Sequence, residues 1–201
     1  MPLQQAMAYL TGLAGLAVFW IVLLIATKKH PWSLVIGQDG EPSTSKFQMM
    51  VWTAAVVFAF LAIFQIRFGS GCWQDLPGLP TNLLIAMGIT VVTTVSAKSI
   101  AVSSASTPDA AAPTGRSGIF SNDAGQPDIG KVQVVLWTAI AVGIFLSEVF
   151  ATIQNPGSPH FDPKLGRSVW DLGLPDIGQT LMILMGLGNG AYLGKKIAQD
   201  N

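Results

Sequence analysis

The chain has 201 residues, half of them apolar and only 11% charged, which excludes an ordinary soluble domain, where about 25% are charged. Eleven basic residues balance eleven acidic ones, so no net field favours nucleic acid. A single cysteine, Cys72, excludes an internal disulfide framework.

The charges crowd between five apolar runs, near 7–27, 47–66, 80–97, 132–153 and 178–194. A bilayer-spanning helix needs about 20 mainly apolar residues. Inside lipid the backbone satisfies its own hydrogen bonds, so each run reads as a helix. The alternating segments of about ten residues that a membrane β-barrel requires are not found. The expected fold is an all-α membrane protein with five transmembrane helices. An N-terminal helix (1–30) precedes two tandem, parallel helical hairpins (43–100 and 128–201), with a linker over 101–127. Residues 1–27 hold no charged side chain, and Lys28, Lys29 and His30 close the first run. It lacks a basic n-region, exceeds an h-region in length and has no small-residue cleavage site after it, so it reads as a mature helix.

The next runs repeat. Lys46-Phe47-Gln48-Met49-Met50-Val51-Trp52-Thr53 matches Lys131-Val132-Gln133-Val134-Val135-Leu136-Trp137-Thr138, 85 positions on. A Leu-Pro introduces the second run of each copy, at Leu76-Pro77 and Leu174-Pro175, 98 positions apart. Lys98 and Lys196 close these runs at matching positions. Ahead of each copy stands a Gly-x-Pro turn, Gly40-Glu41-Pro42 or Gly125-Gln126-Pro127, and Ser43 or Ser45, and Asp128, are N-cap candidates. A two-span repeat enters the membrane twice from the same side, so the copies relate by an axis along the membrane normal, unlike inverted transporter repeats.

Residues 99–130, rich in Ser, Ala, Pro, Gly and Asp, read as a flexible connector. Trp73 and Trp170, in the other loops, suit the headgroup level as anchors. Lys28, Lys29, Lys46, Lys98, Arg116, Lys131, Lys195 and Lys196 fall on one side, against Arg67, Lys164 and Arg167 on the other. Eight against three places the N-terminus outside and the C-terminus in the cytoplasm.

Gly186, Gly190 and Gly194 lie four apart on the last run, where missing side chains let another helix approach. The matching face of the third run, Gly88, Val92 and Ser96, is less open. Lys46, Gln48 and Trp52, with Lys131, Gln133 and Trp137, form a repeated interfacial motif. It reads as a headgroup anchor, or in a sharper form as a cytoplasmic docking ring for a protein partner. Glu148 is the only acidic residue well inside an apolar run, and intramembrane carboxylates are functional candidates. It stands about 22 Å along the helix from Gln133, near the outer interface. Its counterpart in the first copy is Ile63. Together with Asn189, Thr90, Thr93 and Thr94 it outlines a candidate ion path.

Gly125 to Lys131 satisfies Gly-x4-Gly-Lys, but Val132 stands where a phosphate-binding loop needs Ser or Thr. Gly188-x-Gly190 lies within an apolar helix, unlike a dinucleotide fingerprint. His30 and His160 are expected on opposite sides of the membrane, and no Gly-x-Ser-x-Gly occurs. Cys72 reads as an unpaired loop residue. The expectation is no catalytic, metal or cofactor site.

Ser45-Lys46-x-Gln48-x3-Trp52-Thr53, followed by Leu83-Leu84-x2-Met87-Gly88-Ile89, resembles a helix-hairpin module of uncharacterised bacterial membrane proteins. The resemblance covers 43–100 and 128–198. The second copy departs by Gly130 in place of the Ser, and the first by Val92 where a small residue is usual. It implies the hairpin architecture and a bacterial inner-membrane location, and no activity. The expected function is a non-enzymatic, homo-oligomeric membrane anchor or scaffold embedded in the lipid bilayer. The alternative is an oligomeric ion or small-solute channel, with a transporter third.

Overall fold

Ser43 and Asp128 adopt extended backbone just ahead of two helices, and each side chain accepts from the first turn. Ser43 Oγ accepts from Lys46 N at 3.5 Å, and Asp128 Oδ1 from Gly130 N at 2.9 Å. Each thereby satisfies a backbone donor that has no partner within its helix. The computed structural model describes residues 2–28, 30–36, 42–72, 76–87, 118–121, 126–169, 172–187 and 190. In it these caps start α2, Thr44–Gly69, and α3, Ile129–Gln154. The first helix, α1, Pro2–Thr27, begins at a proline, whose missing N–H costs nothing in a first turn. Each of the three is 26 residues, about 39 Å at the helical rise, and long and apolar enough to cross a membrane.

The end of α1 is set by Lys28, which takes a left-handed conformation (φ 52°) while its N–H donates to Leu24 O at 2.9 Å. A glycine suits that position, because a Cβ is penalised there. Lys28→Gly is therefore expected to raise stability by about 1 kcal/mol, read as a rise in the thermal midpoint.

Three of the five expected helices are thus described in full and are long and apolar enough to span a membrane. The third and fifth apolar runs are described as helix only over 81–87 and 179–187, and at 190. Gly88, Thr90, Thr93, Thr94, Ser96, Asn189 and Gly194 lie outside the described residues, as do Trp73, Trp170 and most of the 101–127 linker.

One element departs from the all-α expectation. After α3, β1 (His160–Asp162) pairs antiparallel with β2 (Arg167–Val169), His160 opposite Val169. The intervening Pro163-Lys164-Leu165-Gly166 closes the turn locally. Asp162 Oδ1 accepts from Lys164 N at 2.8 Å, Gly166 N donates to Asp162 O at 2.9 Å, and Gly166 takes φ 62°. Asp-Pro followed by Gly is a turn signal legible in the sequence. Cys72, free and buried, donates from Sγ to Ser168 O at 3.4 Å and so ties the segment after α2 to this hairpin.

The helix order in space follows from who meets whom. Gln4 reaches Ile66 and Gly12 lies against Phe58, so α1 runs antiparallel to α2. Trp52 packs on Phe145 and Phe58 on Phe150, so α2 and α3 run parallel. The core between them is Ala55, Ala59, Ala62, Ile63 and Ile66 of α2 with Ala141, Val149 and Ile153 of α3. Small residues let the backbones close, while the aromatic rings fill the space between. Most of the surface of α1 stays open, with only 6% of its most apolar window buried.

Candidate functional site

The two helix starts are built alike, 85 positions apart. Ahead of α2, an antiparallel bridge joins Ile36 to Pro42 and Ser43 N donates to Val35 O at 2.7 Å. Ahead of α3, the bridge joins Ser121 to Pro127 and Asp128 N donates to Phe120 O at 2.7 Å. The repeated lysines finish both loops: Lys46 Nζ donates to Ile36 O at 2.6 Å, and Lys131 Nζ to Ser121 O at 2.5 Å. Each ammonium folds back onto its own loop, half-buried. The lysines therefore act first as loop latches, pulling the chain into the helix start.

The rest of the motif diverges between copies. On α2, Thr44, Gln48 and Trp52 follow at four-residue spacing and form one stripe. All three are buried, at 0%, 1% and 1% exposure. Among the described residues, Thr44 Oγ1, Gln48 Oε1 and Trp52 Nε1 have no hydrogen-bond partner. On α3 the corresponding residues are Ile129, 84% exposed, and Gln133 and Trp137, both half-buried. Gln48 and Trp52 thus face inward.

Beyond Trp52 the described interior is apolar and aromatic. Its ring meets Phe145 at 5.9 Å, and Phe58 and Tyr9 both meet Phe150, at 5.9 and 6.0 Å. An open groove of about 380 Å³ between the three helices is lined only by apolar side chains, among them Leu16, Trp20, Met50, Ala54 and Phe150. Its chemistry suits hydrocarbon.

The opposite end of the unit carries polar fastenings that the sequence reading did not single out. Gln4 Nε2 donates to Ile66 O at 2.9 Å and to Ser70 Oγ at 2.8 Å, and Gln5 Nε2 to Gln154 O at 2.7 Å. Ile66 and Gln154 lie in the last turns of α2 and α3, where carbonyls lack intrahelical partners, so adjacent glutamines of α1 serve both helix ends. Arg67, also buried, donates from Nε to Leu172 O at 2.7 Å, binding α2 to the segment before the last helical stretch. Asn82 Nδ2 adds bonds to Asp176 Oδ2 at 2.9 Å and Ile177 O at 3.2 Å. The legible signal was a pair of amides and a lone arginine at the ends of apolar runs.

The tight glycine crossing described by the structure is in α1. A Cβ at Gly12 would stand 2.7 Å from Phe58 Cδ2 and 3.1 Å from Phe58 O, and one at Gly15 only 2.0 Å from Leu61 Cδ1. A Cβ at Gly190 would meet no described atom within 4 Å, and Gly186 is half-buried. Glu148 is exposed, and its carbonyl accepts from Thr152 Oγ1 at 2.8 Å. Among the described residues no group of His, Cys, Asp and Glu could hold a metal ion.

These features define the class: a mostly helical chain with three helices able to span a membrane, α1 tied by amides to the ends of α2 and α3, and the starts of α2 and α3 each closed by its own latched loop. No family model, curated protein or solved structure matches the chain.

Proposed function

We propose that the chain is a non-enzymatic multi-pass protein of the bacterial inner membrane, N-terminus outside and C-terminus cytoplasmic, which self-associates as an anchor or scaffold. The observation that carries this reading is the outward face of α3. Ala139, Gly143, Ser147 and Ala151 follow at four-residue spacing, all exposed, and nothing lies within 4 Å of a Cβ built at Gly143. The Ser147 hydroxyl donates to Gly143 O at 2.8 Å, so it binds its own backbone and adds little standoff. A face of small residues between apolar ones suits close helix contact in lipid, where packing drives association. The aromatic and small-residue packing described between α1, α2 and α3 supports the same reading.

The second reading, an oligomeric ion or small-solute channel, draws on Glu148, exposed on the flank of that face, where a second copy would cover it. Mass measurement in lipid nanodiscs tests the first reading. The wild type is expected above the 21.2 kDa protomer, with Gly143→Leu reduced to the protomer and Gly190→Leu compared beside it. A monomeric wild type overturns self-association. Discrete single-channel currents in planar bilayers, altered by Glu148→Gln, overturn the scaffold in favour of the channel.

A further inference from the structure

The groove between α1, α2 and α3 belongs to neither the anchor nor the channel reading. It runs from Leu13 to Trp20 along α1, from Met50 to Phe58 along α2 and from Val142 to Phe150 along α3. Each stretch is about 10–12 Å long at the helical rise. Phe150 is the lining residue nearest a helix end, and it still stands about 6 Å inside Gln154. A helix of about 39 Å overhangs a hydrocarbon core of about 30 Å by only about 4–5 Å at each end. The whole groove therefore lies at the depth of the lipid tails.

Shape and chemistry separate the occupants open to it. The lining exposes no polar atom, so a polar ligand would lose its hydrogen bonds there without replacement. Water is excluded on the same ground, since apolar cavities stay dry. A helix from a second copy is too wide. A volume of about 380 Å³ over about 12 Å leaves a channel about 6 Å across, against about 10–12 Å for a helix with its side chains. A single hydrocarbon chain is that slender, and it is what surrounds the helices at this depth. Leu13 and Phe150 on the rim are exposed, so the groove opens sideways. Its floor is Ala55 and Val142, 5% and 8% exposed, and the short side chain of Ala54 leaves the middle clear.

We propose that this groove holds one acyl chain of a bilayer phospholipid, seated among the three helices as part of their packing. Lipid tails are as apolar as the lining, so the chain is retained by dispersion contact on three sides and not by escape from water. The inference rests on the placement of the three helices in a membrane, and it stands for a scaffold or a channel alike.

The test uses the full chain in nanodiscs of phosphatidylcholine whose acyl chain carries a photoactivatable diazirine, with the labelled residues located by mass spectrometry of the peptides. Label is expected on the floor residues Ala55 and Val142 as well as on the outward α1 residues Val18 and Ile21. Ala54→Phe places a ring in the groove and is expected to lower the floor label several-fold while Val18 and Ile21 keep theirs. Ala17→Phe, on the exposed surface of α1, is expected to leave the floor label unchanged. Should Ala54→Phe not fold, the wild-type pattern decides. An unlabelled floor beside labelled Val18 and Ile21 overturns the proposal, whether the groove is closed or filled by a second copy. A floor label that survives Ala54→Phe in full overturns it too. Helices with no label anywhere overturn it together with the membrane placement.

Discussion

Gly12→Val is expected to detach α1 from α2, lowering stability by about 1–3 kcal/mol, the usual range for overpacking. A Cβ at this position falls 2.7 and 2.8 Å from the Phe58 ring and 3.1 Å from the Phe58 carbonyl oxygen. The ring packs edge-on against Phe150 at 5.9 Å but borders the apolar groove, into which it can shift. The backbone oxygen yields only if the helices part. Gly15→Ala is the control: its Cβ would fall 2.0 Å from Leu61 Cδ1, but that is the free end of a half-buried side chain that can rotate away. Its cost is expected below about 1 kcal/mol. Thermal midpoints in detergent, with crosslinking yields for paired cysteines across α1 and α2, separate the two. Equal losses from both would show that side-chain clash, not backbone approach, sets the crossing.

Arg67→Met is expected to cost about 2–3 kcal/mol, because the change strands the Leu172 carbonyl and removes a cation from the C-terminal turn of α2. Arg67 donates to Leu172 O at 2.7 Å from a position only 6% exposed. Arg67→Lys keeps the charge but loses the planar donor fork, and is expected to recover less than half of the loss. The readout is the thermal midpoint together with proteolysis of the segment 172–178. Cleavage there should rise in Arg67→Met, since that bond holds the segment to α2. Unchanged stability and unchanged cleavage would mean that the segment is held by Asn82 and its neighbours instead.

Much of the architecture is written locally and was legible. Long uncharged runs specify helices because lipid leaves the backbone no other partner, although α1, α2 and α3, Pro2–Thr27, Thr44–Gly69 and Ile129–Gln154, each extend beyond the apolar runs near 7–27, 47–66 and 132–153. Ser43 and Asp128 announce helix starts through short side chains that reach their own first turns. The β-hairpin at 160–169 was equally local, with Asp162-Pro163 and Gly166 as its turn residues, but its strands are three residues each, too short for an alternation signal.

What the candidate site looks like was not legible, because burial is a relation between segments. Lys46-x-Gln48-x3-Trp52 and Lys131-x-Gln133-x3-Trp137 read the same, yet the first copy turns its Gln and Trp into the interior and the second leaves them half-buried. The shared motif itself holds nothing that separates them. The difference lies in what covers each helix face. The glycines show the same limit: Gly12 and Gly15 are three apart in a helix with little other pattern, and only the approach of Phe58 and Leu61 makes them a crossing. The sequence by itself determined that three long apolar helices form and where α2 and α3 are capped, since these depend on short-range hydrogen bonding and on composition. The tertiary structure decided which lysines latch, which amides fasten helix ends and which polar atoms are sealed without partners, because those outcomes depend on distances between residues far apart in the chain.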